Sequence, residues 1–380
     1  KKKDSLMSTK TSNLHLNIVS FDIPFPANYG GVIDVYYKMK ALKEKGVKIH
    51  LHAFQYGRES CRELESICEE VSYYSRKRFG NLFNLKLPYI VKTRKSAQLL
   101  KNLQKNDFPI LFEGLHCAYY ANHDSLKHRN RMVRMHNIEY LYYMHLAKVE
   151  KNIFKQLYFK IEAIRLKNFQ QILSNVNHIA AISPSDQIIL NLKHQNSFYL
   201  PVFHPNEKLS STIGKGEYIL YHGNLGVGEN NEAAIYLVEN VFDKIEYPCI
   251  IAGSNPSRKL IDLVKDQSHI KLINPELDEI YDLIKNAQIN ILPTFQDTGI
   301  KLKLLNALYL GRYCLVNSKM VKDTGLDHLC IIASDDSEFV AQIHDYFNLD
   351  FTISQQETRQ QHLQTLFSNN HNIDKLIDKI

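Results

Sequence analysis

Residues 292–311 read Leu-Pro-Thr-Phe-Gln-Asp-Thr-Gly-Ile-Lys-Leu-Lys-Leu-Leu-Asn-Ala-Leu-Tyr-Leu-Gly. An apolar run gives way at Pro293 to a short polar loop, and a helical pattern then starts near Thr298 or Gly299 and stops at Gly311. Lys301 and Lys303 fall in the first turns of that helix, where the dipole end is already positive and a cation costs about 0.3–1 kcal/mol. Two lysines placed against that gradient point to a negative ligand. The amides of Thr298, Gly299 and Ile300 with one lysine would make a site for a diphosphate. About 200° of helical rotation separates the lysines, so one ligand takes only one of them, and Lys301 lies nearer the amides. An equally simple reading has both lysines solvating an exposed helix start.

Elsewhere the chemistry-bearing residues are single. His136 follows a strand candidate at 132–135, where a lone histidine is either packed or reaches a ligand. Gly30 and Gly31 close a Pro/Gly loop, 22–31, and either admit a close backbone approach or serve a plain turn into a helix. Ser183-Pro184-Ser185-Asp186 reads as a helix N-cap with proline at the first helical position. Asp335-Asp336 reads as another cap. The six cysteines are scattered without ligand spacing, and no metal site is implied. Neither opening strand is followed by G-x-G-x-x-G, which argues against a nicotinamide cofactor.

These residues need a frame. Strand candidates at 16–21, 47–54, 109–113, 132–135 and 178–182 alternate with helical patterns, among them one with Ile33, Tyr36, Met39 and Leu42 on one face that ends at Gly46. The alternation resumes with strands at 218–222, 249–252, 270–273, 289–292 and 313–316. Strand-helix-strand order predicts parallel sheets, and 380 residues exceed what one core usually serves. The expected fold is α/β: two Rossmann-like, doubly wound parallel-sheet domains facing across a cleft, with ligands beyond the carboxyl ends of the strands. A polar tail at 1–13 would precede a first domain at 14–208 and a second at 209–350, joined through a Pro/Asn/Ser/Gly-rich linker at 200–216. Residues 351–380 would add C-terminal helices that pack back on the first domain.

Charge separates the halves further. Residues 1–200 hold 31 basic against 16 acidic residues, a balance of +15, and the rest carry −8. Residues 71–105 hold nine Lys or Arg and no acid, with Arg76, Lys77, Arg78, Lys92, Arg94 and Lys95 interleaved with tyrosines and phenylalanines. Such a segment either docks on anionic lipid headgroups or forms a solvated basic face. No nucleic-acid-binding module is recognisable, so a nucleic-acid partner is not expected. No apolar stretch is long enough to span a bilayer, and the absence of a disulfide framework suits a cytoplasmic setting.

In order and spacing the motifs resemble those of the family 4-like GT-B glycosyltransferases over roughly residues 14–345. The likeness rests on the 292–311 segment, on Tyr221-His-Gly-Asn-Leu-Gly-Val-Gly-Glu-Asn-Asn231, on Ala252-Gly-Ser-Asn-Pro256, on the glycine loop at 24–31, on Met135-His-Asn-Ile-Glu139 and on Ile182-Ser-Pro-Ser-Asp186. The resemblance implies retaining, metal-independent transfer of a hexosyl group from a UDP- or GDP-type nucleotide sugar, a co-substrate with no further cofactor. It implies a glycan or lipid-linked acceptor in cell-envelope polysaccharide assembly, at the inner face of the membrane. His136 would then be catalytic, and Gly30, Gly31, Gly223 and Asn224 would line the donor with the 298–301 loop. The chain also departs from the pattern. Two glutamates of the donor loop are replaced by Thr298 and Asn306, and an Arg and a Lys after the opening strand by Asn224 and Glu229. A sugar-nucleotide epimerase or hydrolase of the same architecture, or a non-catalytic nucleotide-sugar-binding homologue, stays open at this point.

Overall fold

The computed structural model describes residues 14–77, 86–150, 152–295 and 302–380. The chain forms two compact units, one running to Pro205 and taking in Asn369–Ile380, the other comprising Asn206–Ser368.

In the first unit seven strands form one sheet: β1 His15–Ser20, β2 Lys48–Gln55, β3 Glu70–Ser75, β4 Ile110–Glu113, β5 Arg131–Met135, β6 His178–Ala181 and β7 Ser197–Tyr199. Their order is β3-β2-β1-β4-β5-β6-β7, and every pairing is parallel. The second unit carries β8 Ile219–His222, β9 Cys249–Ala252, β10 Ile270–Ile273, β11 Ile289–Leu292, β12 Tyr313–Val316 and β13 Ile331–Ile332, in the order β10-β9-β8-β11-β12-β13, again all parallel. A parallel sheet is covered on both faces, which is why β11 and β12 are buried at every position and read as unbroken apolar runs.

Three strands were not expected from the sequence: β3, β7 and the two-residue β13. β3 occupies the start of the basic segment, which is therefore partly sheet edge. The C-terminal helices also divide differently from the expected packing of 351–380 on the first domain. Helix Ile353–Phe367 stays in the second unit, where buried Arg359 donates to the carbonyls of Leu308, Gly311 and Arg312 at 3.3, 2.7 and 2.6 Å. Only helix Asn369–Ile377 returns to the first unit, burying Ile373 and Leu376 in its core and pairing Asp374 with Lys45 at 2.7 Å.

In each sheet the chain order reverses once, between β1 and β4 and between β8 and β11. At such a switch point the two flanking strand-to-helix loops diverge to opposite faces and leave a crevice at the carboxyl ends of the strands.

Candidate functional site

The first switch point is built around ionised groups that are fully buried. Helix Gly30–Glu44 presents Asp34 and Lys38, one turn apart, to the ends of β4 and β5, which supply Glu113 and Arg134. All four side chains are inaccessible to solvent. The Lys38 ammonium donates to Asp34 Oδ2 at 3.0 Å and to both oxygens of Glu113 at 2.7 and 3.0 Å. Arg134 grips both oxygens of Asp34 at 3.1 Å and spends its remaining donors on the carbonyls of Ala181, Leu200 and Pro201. Two cations thus answer two carboxylates. Burial would raise the Asp34 carboxyl, but Arg134 and then Lys38 hold it far below the usual carboxylate range, and Lys38 likewise lowers Glu113 against burial.

His136 closes this cluster from outside. Its Nε2 lies 3.1 Å from Glu113 Oε2 and its Nδ1 3.8 Å from Asp34 Oδ2, while the side chain keeps 10% exposure. The ring meets Phe21 edge-on at 5.4 Å, and Phe21 also touches His116 at 5.7 Å. Asp34, Glu113 and His136 offer ligand atoms within 4.8 Å of one another. The set does not fit a divalent cation, because an ion there would have to displace the Lys38 ammonium from both carboxylates.

Beside it sits a second titratable pair. Glu139, at the start of the helix after β5, is buried, and burial pushes its carboxyl up to about 8; Arg94 acts in the opposite sense and Asp186 adds to the rise. His116 Nδ1 lies 3.9 Å from Glu139 Oε1, is buried and has no hydrogen-bond partner. Burial, with help from the charges of Arg94 and His136, holds His116 well below its ordinary value. Its position depends on Gly114, whose φ of 84° is left-handed and whose missing Cβ would lie 2.8 Å from His116 Nδ1.

The glycine loop lies over the same end of the sheet. Arg94 donates to the Phe21 carbonyl at 2.9 Å, and Arg58 to the carbonyls of Ile23 and Pro26 at 3.1 and 2.6 Å. A Cβ on Gly31 would meet the Phe21 ring at 2.7 Å, so this glycine serves loop-to-ring packing. Gly30 is exposed at the head of its helix, where Tyr29 contributes no side-chain cap and the first turn has no acid.

At the second switch point the loop after β8 is tied to itself and to its neighbours. Asn224 Oδ1 accepts from the Gly226 amide at 3.0 Å and from Ser254 Oγ at 3.4 Å, and Asn230 Nδ2 donates to the Asn224 carbonyl at 3.0 Å. Gly253 packs so closely on this loop that a Cβ there would lie 1.9 Å from the Gly223 carbonyl oxygen. Lys303 reaches in from helix Leu302–Leu310, donating to Asn230 Oδ1 at 2.8 Å with its ammonium 5.2 Å from the centre of the Tyr221 ring. Thr294, after β11, donates to Glu229 and ties the two switch-point loops together. Buried His222, held down to about 3 by burial and by Lys303, leaves Nε2 without a partner.

The sequence-derived sites fare unevenly. Gly223 and Asn224 lie in the loop where Lys303 arrives, with the Asn224 amide oxygen committed to loop geometry. Asn306 accepts from Asn206 at 2.8 Å. Thr298, Gly299, Ile300 and Lys301 lie outside the described residues, as does Arg78. Arg94 is corrected: at 5% exposure, with its guanidinium on backbone carbonyls, it anchors the glycine loop and faces no membrane. Arg76 is half-buried, bonded to Thr93 and stacked on the rings of Tyr56 and Tyr89. Lys92 is also half-buried, while Lys77 and Lys95 are exposed, the latter over Tyr119. Asp335 and Ser183 are helix caps as read.

Sequence reasoning missed Asp34, Lys38, Glu113, Arg134, His116 and the shifted Glu139. A signal existed: Glu113 and Arg134 stand within buried strands, and a charge in such a strand needs a buried partner.

No family model matches the chain. An uncharacterized 44.6 kDa protein in the cps region of Klebsiella pneumoniae is 27% identical over 351 residues, covering 87% of this chain and 90% of the relative. Among solved structures, a glycosyltransferase from Rickettsia africae aligns with a TM-score of 0.62 at 12% identity, covering 96% of this chain and 97% of the other. Anabaena HepE in complex with UDP and glucose gives 0.64 at 11% identity, covering 97% and 100%. Staphylococcus aureus TarM in complex with fondaparinux, alpha-GlcNAc-glycerol and UDP gives 0.65 at 10% identity, covering 96% and 99%. Two parallel-sheet units in one chain, aligned end to end with these proteins, give this chain the GT-B fold.

Proposed function

We propose that the chain is a glycosyltransferase that moves a hexosyl group from a UDP- or GDP-type nucleotide sugar to a glycan or lipid-linked acceptor in polysaccharide assembly. The observation that carries this reading is Lys303 at the second switch point. The positions after β8 where an Arg and a Lys would meet a diphosphate hold Asn224 and Glu229. Lys303 brings a cation to that loop from a different helix, so the charge is supplied by another route. The TarM and HepE structures hold UDP, and the relative in a cps region favours a polysaccharide acceptor.

In the proposed reaction the bond from the anomeric carbon to the diphosphate oxygen breaks and an acceptor hydroxyl takes its place, the anomeric configuration being retained. A departing diphosphate needs positive charge and amides already in place, which is the role proposed for Lys303 and the 223–227 loop, with Lys301 the further candidate that the sequence offers. His136, the catalytic candidate of the resemblance, is held by Glu113 within the first unit. If lysine and amides neutralise the leaving group, transfer needs no metal.

The test incubates the full chain with labelled UDP- and GDP-sugars, with and without lipid-linked acceptor, in EDTA and in magnesium. Acceptor-dependent transfer from one donor, unchanged by EDTA, is the expected result. Sugar release or interconversion that ignores the acceptor would assign a hydrolase or epimerase instead, and the absence of calorimetric binding by every nucleotide sugar would make the chain a non-catalytic homologue.

A further inference from the structure

Helix Ile153–Phe169 buries Glu162, Ala163 and Leu166 against the first unit, where Glu162 accepts from the Tyr89 amide and from Arg165, each at 2.6 Å. Its opposite face should be polar in a protein surrounded only by water. Instead Ile153, Phe154, Leu157, Tyr158, Ile161 and Ile164 recur at helical spacing on the exposed side, with Phe154 85%, Ile153 77% and Ile164 62% accessible. The preceding helix, Glu139–Val149, packs Tyr143 against Phe159 and adds exposed Met144 and Val149. A contiguous apolar patch of this kind marks a place where something binds.

The charges around the stripe say what. At about 100° per residue, exposed Lys160 and Lys167 border it on one side, while Arg165, among the apolar positions, is paired with Glu162. The helix has a single acid, Glu162, which faces inward and is already paired. A second copy of the chain seated on this face by two-fold symmetry would press the basic borders against each other, with no acid on the helix to answer them. An anionic lipid surface answers both features at once. The stripe enters the boundary between headgroups and acyl chains, the lysine stems follow it and the ammonium groups remain among the phosphates. The +15 balance of residues 1–200 adds attraction at longer range.

We propose that the outward face of helix Ile153–Phe169 docks the protein on an anionic phospholipid bilayer, lying in the interface without crossing it. Among the described residues no helix is long and apolar enough to cross a membrane. This places membrane contact on a surface other than residues 71–105, where the sequence suggested it. It goes beyond the transferase reading by naming the surface, and its test uses no nucleotide sugar.

Full chain would be sedimented with vesicles of phosphatidylcholine alone and with phosphatidylglycerol added. Binding should require the anionic lipid, weaken as salt rises, and fall about tenfold or more in Phe154→Ser/Ile164→Ser, whose side chains are exposed enough to leave the fold unchanged by circular dichroism. Lys160→Glu/Lys167→Glu should lose binding without removing any apolar surface. Equal binding by wild type and the Ser variant, or indifference to phosphatidylglycerol, would overturn the proposal. A dimer in analytical ultracentrifugation that the Ser variant abolishes would overturn it too, in favour of a second copy. Transfer to a soluble acceptor, measured separately, would stand or fall without reference to these results.

Discussion

Lys38→Met is the sharpest perturbation available, because it removes one charge from a closed set of four and leaves the volume nearly unchanged. The ammonium makes three bonds of 2.7–3.0 Å, two of them to Glu113, inside a region that solvent does not reach. Without it Asp34 keeps its bidentate Arg134, but Glu113 keeps only His136. An uncompensated buried charge costs about 3–5 kcal/mol, a large share of the 5–15 kcal/mol that holds a typical domain folded. The sign with pH follows from the wild type. Asp34 and Glu113 are both held below their unfolded values, so their contribution is present above about pH 4.5 and is lost as pH falls below it. In the variant Glu113 loses the cation that kept it ionised and is free to take up a proton as the solution is acidified. The deficit should therefore be largest near neutrality and shrink toward about pH 5. Urea titrations followed by far-ultraviolet circular dichroism at several pH values would measure it, with Lys38→Met/Glu113→Leu as the companion variant. That double variant should be more stable than the single one, since it removes both the orphaned carboxylate and its partner. A single-variant loss under about 1 kcal/mol, a deficit flat with pH, or a double variant worse than the single would refute the argument that this network is charge-balanced.

Other outcomes follow from the same geometry. Lys303→Ala should weaken calorimetric binding of UDP or GDP by about 1.5–3 kcal/mol, and if only Lys301→Ala does so the phosphate site belongs to the helix start instead. Glu139→Gln should stabilise the protein increasingly from about pH 4.5 to 8, because a carboxyl raised to about 8 in the fold opposes folding over that window; identical pH profiles in chemical denaturation would contradict its buried state. Gly253→Ala must push the Gly223 carbonyl aside and should cost about 1–3 kcal/mol in thermal unfolding while also depressing nucleotide affinity, whereas an unchanged melting curve would mean the two loops are looser than described.

The strand-helix alternation was legible because parallel strands are buried on both faces and therefore write themselves as short apolar runs: β9, β10, β11 and β12 fall where those runs lie. β3 escaped notice because its Glu70-Val-Ser-Tyr-Tyr-Ser75 is a half-buried edge, and β7 and β13 because three and two residues carry no period. The site was legible in its backbone and not in its charges. Gly223 and His136 stand just past the ends of β8 and β5, which is where the sequence set them. Asp34 and Lys38, four apart on a helix, look like an ordinary surface ion pair, and only Glu113 and Arg134, 75 and 100 residues from their partners, turn that pair inward. Arg94 failed in the opposite direction: composition placed it in a basic patch, and the carbonyls of Phe21 and Ile90 took it inside.

Because helix Asn369–Ile377 belongs with residues up to Pro205, the 206–368 stretch is topologically an insertion. The inserted unit is one unbroken stretch of chain, so it can be produced by a single pair of cuts. The host cannot: any fragment stopping at the linker lacks Ile373 and Leu376 and leaves their places in its core vacant. On the ribosome the host's final helix is made only after the whole insert, so the host reaches its complete core last although most of it is synthesised first.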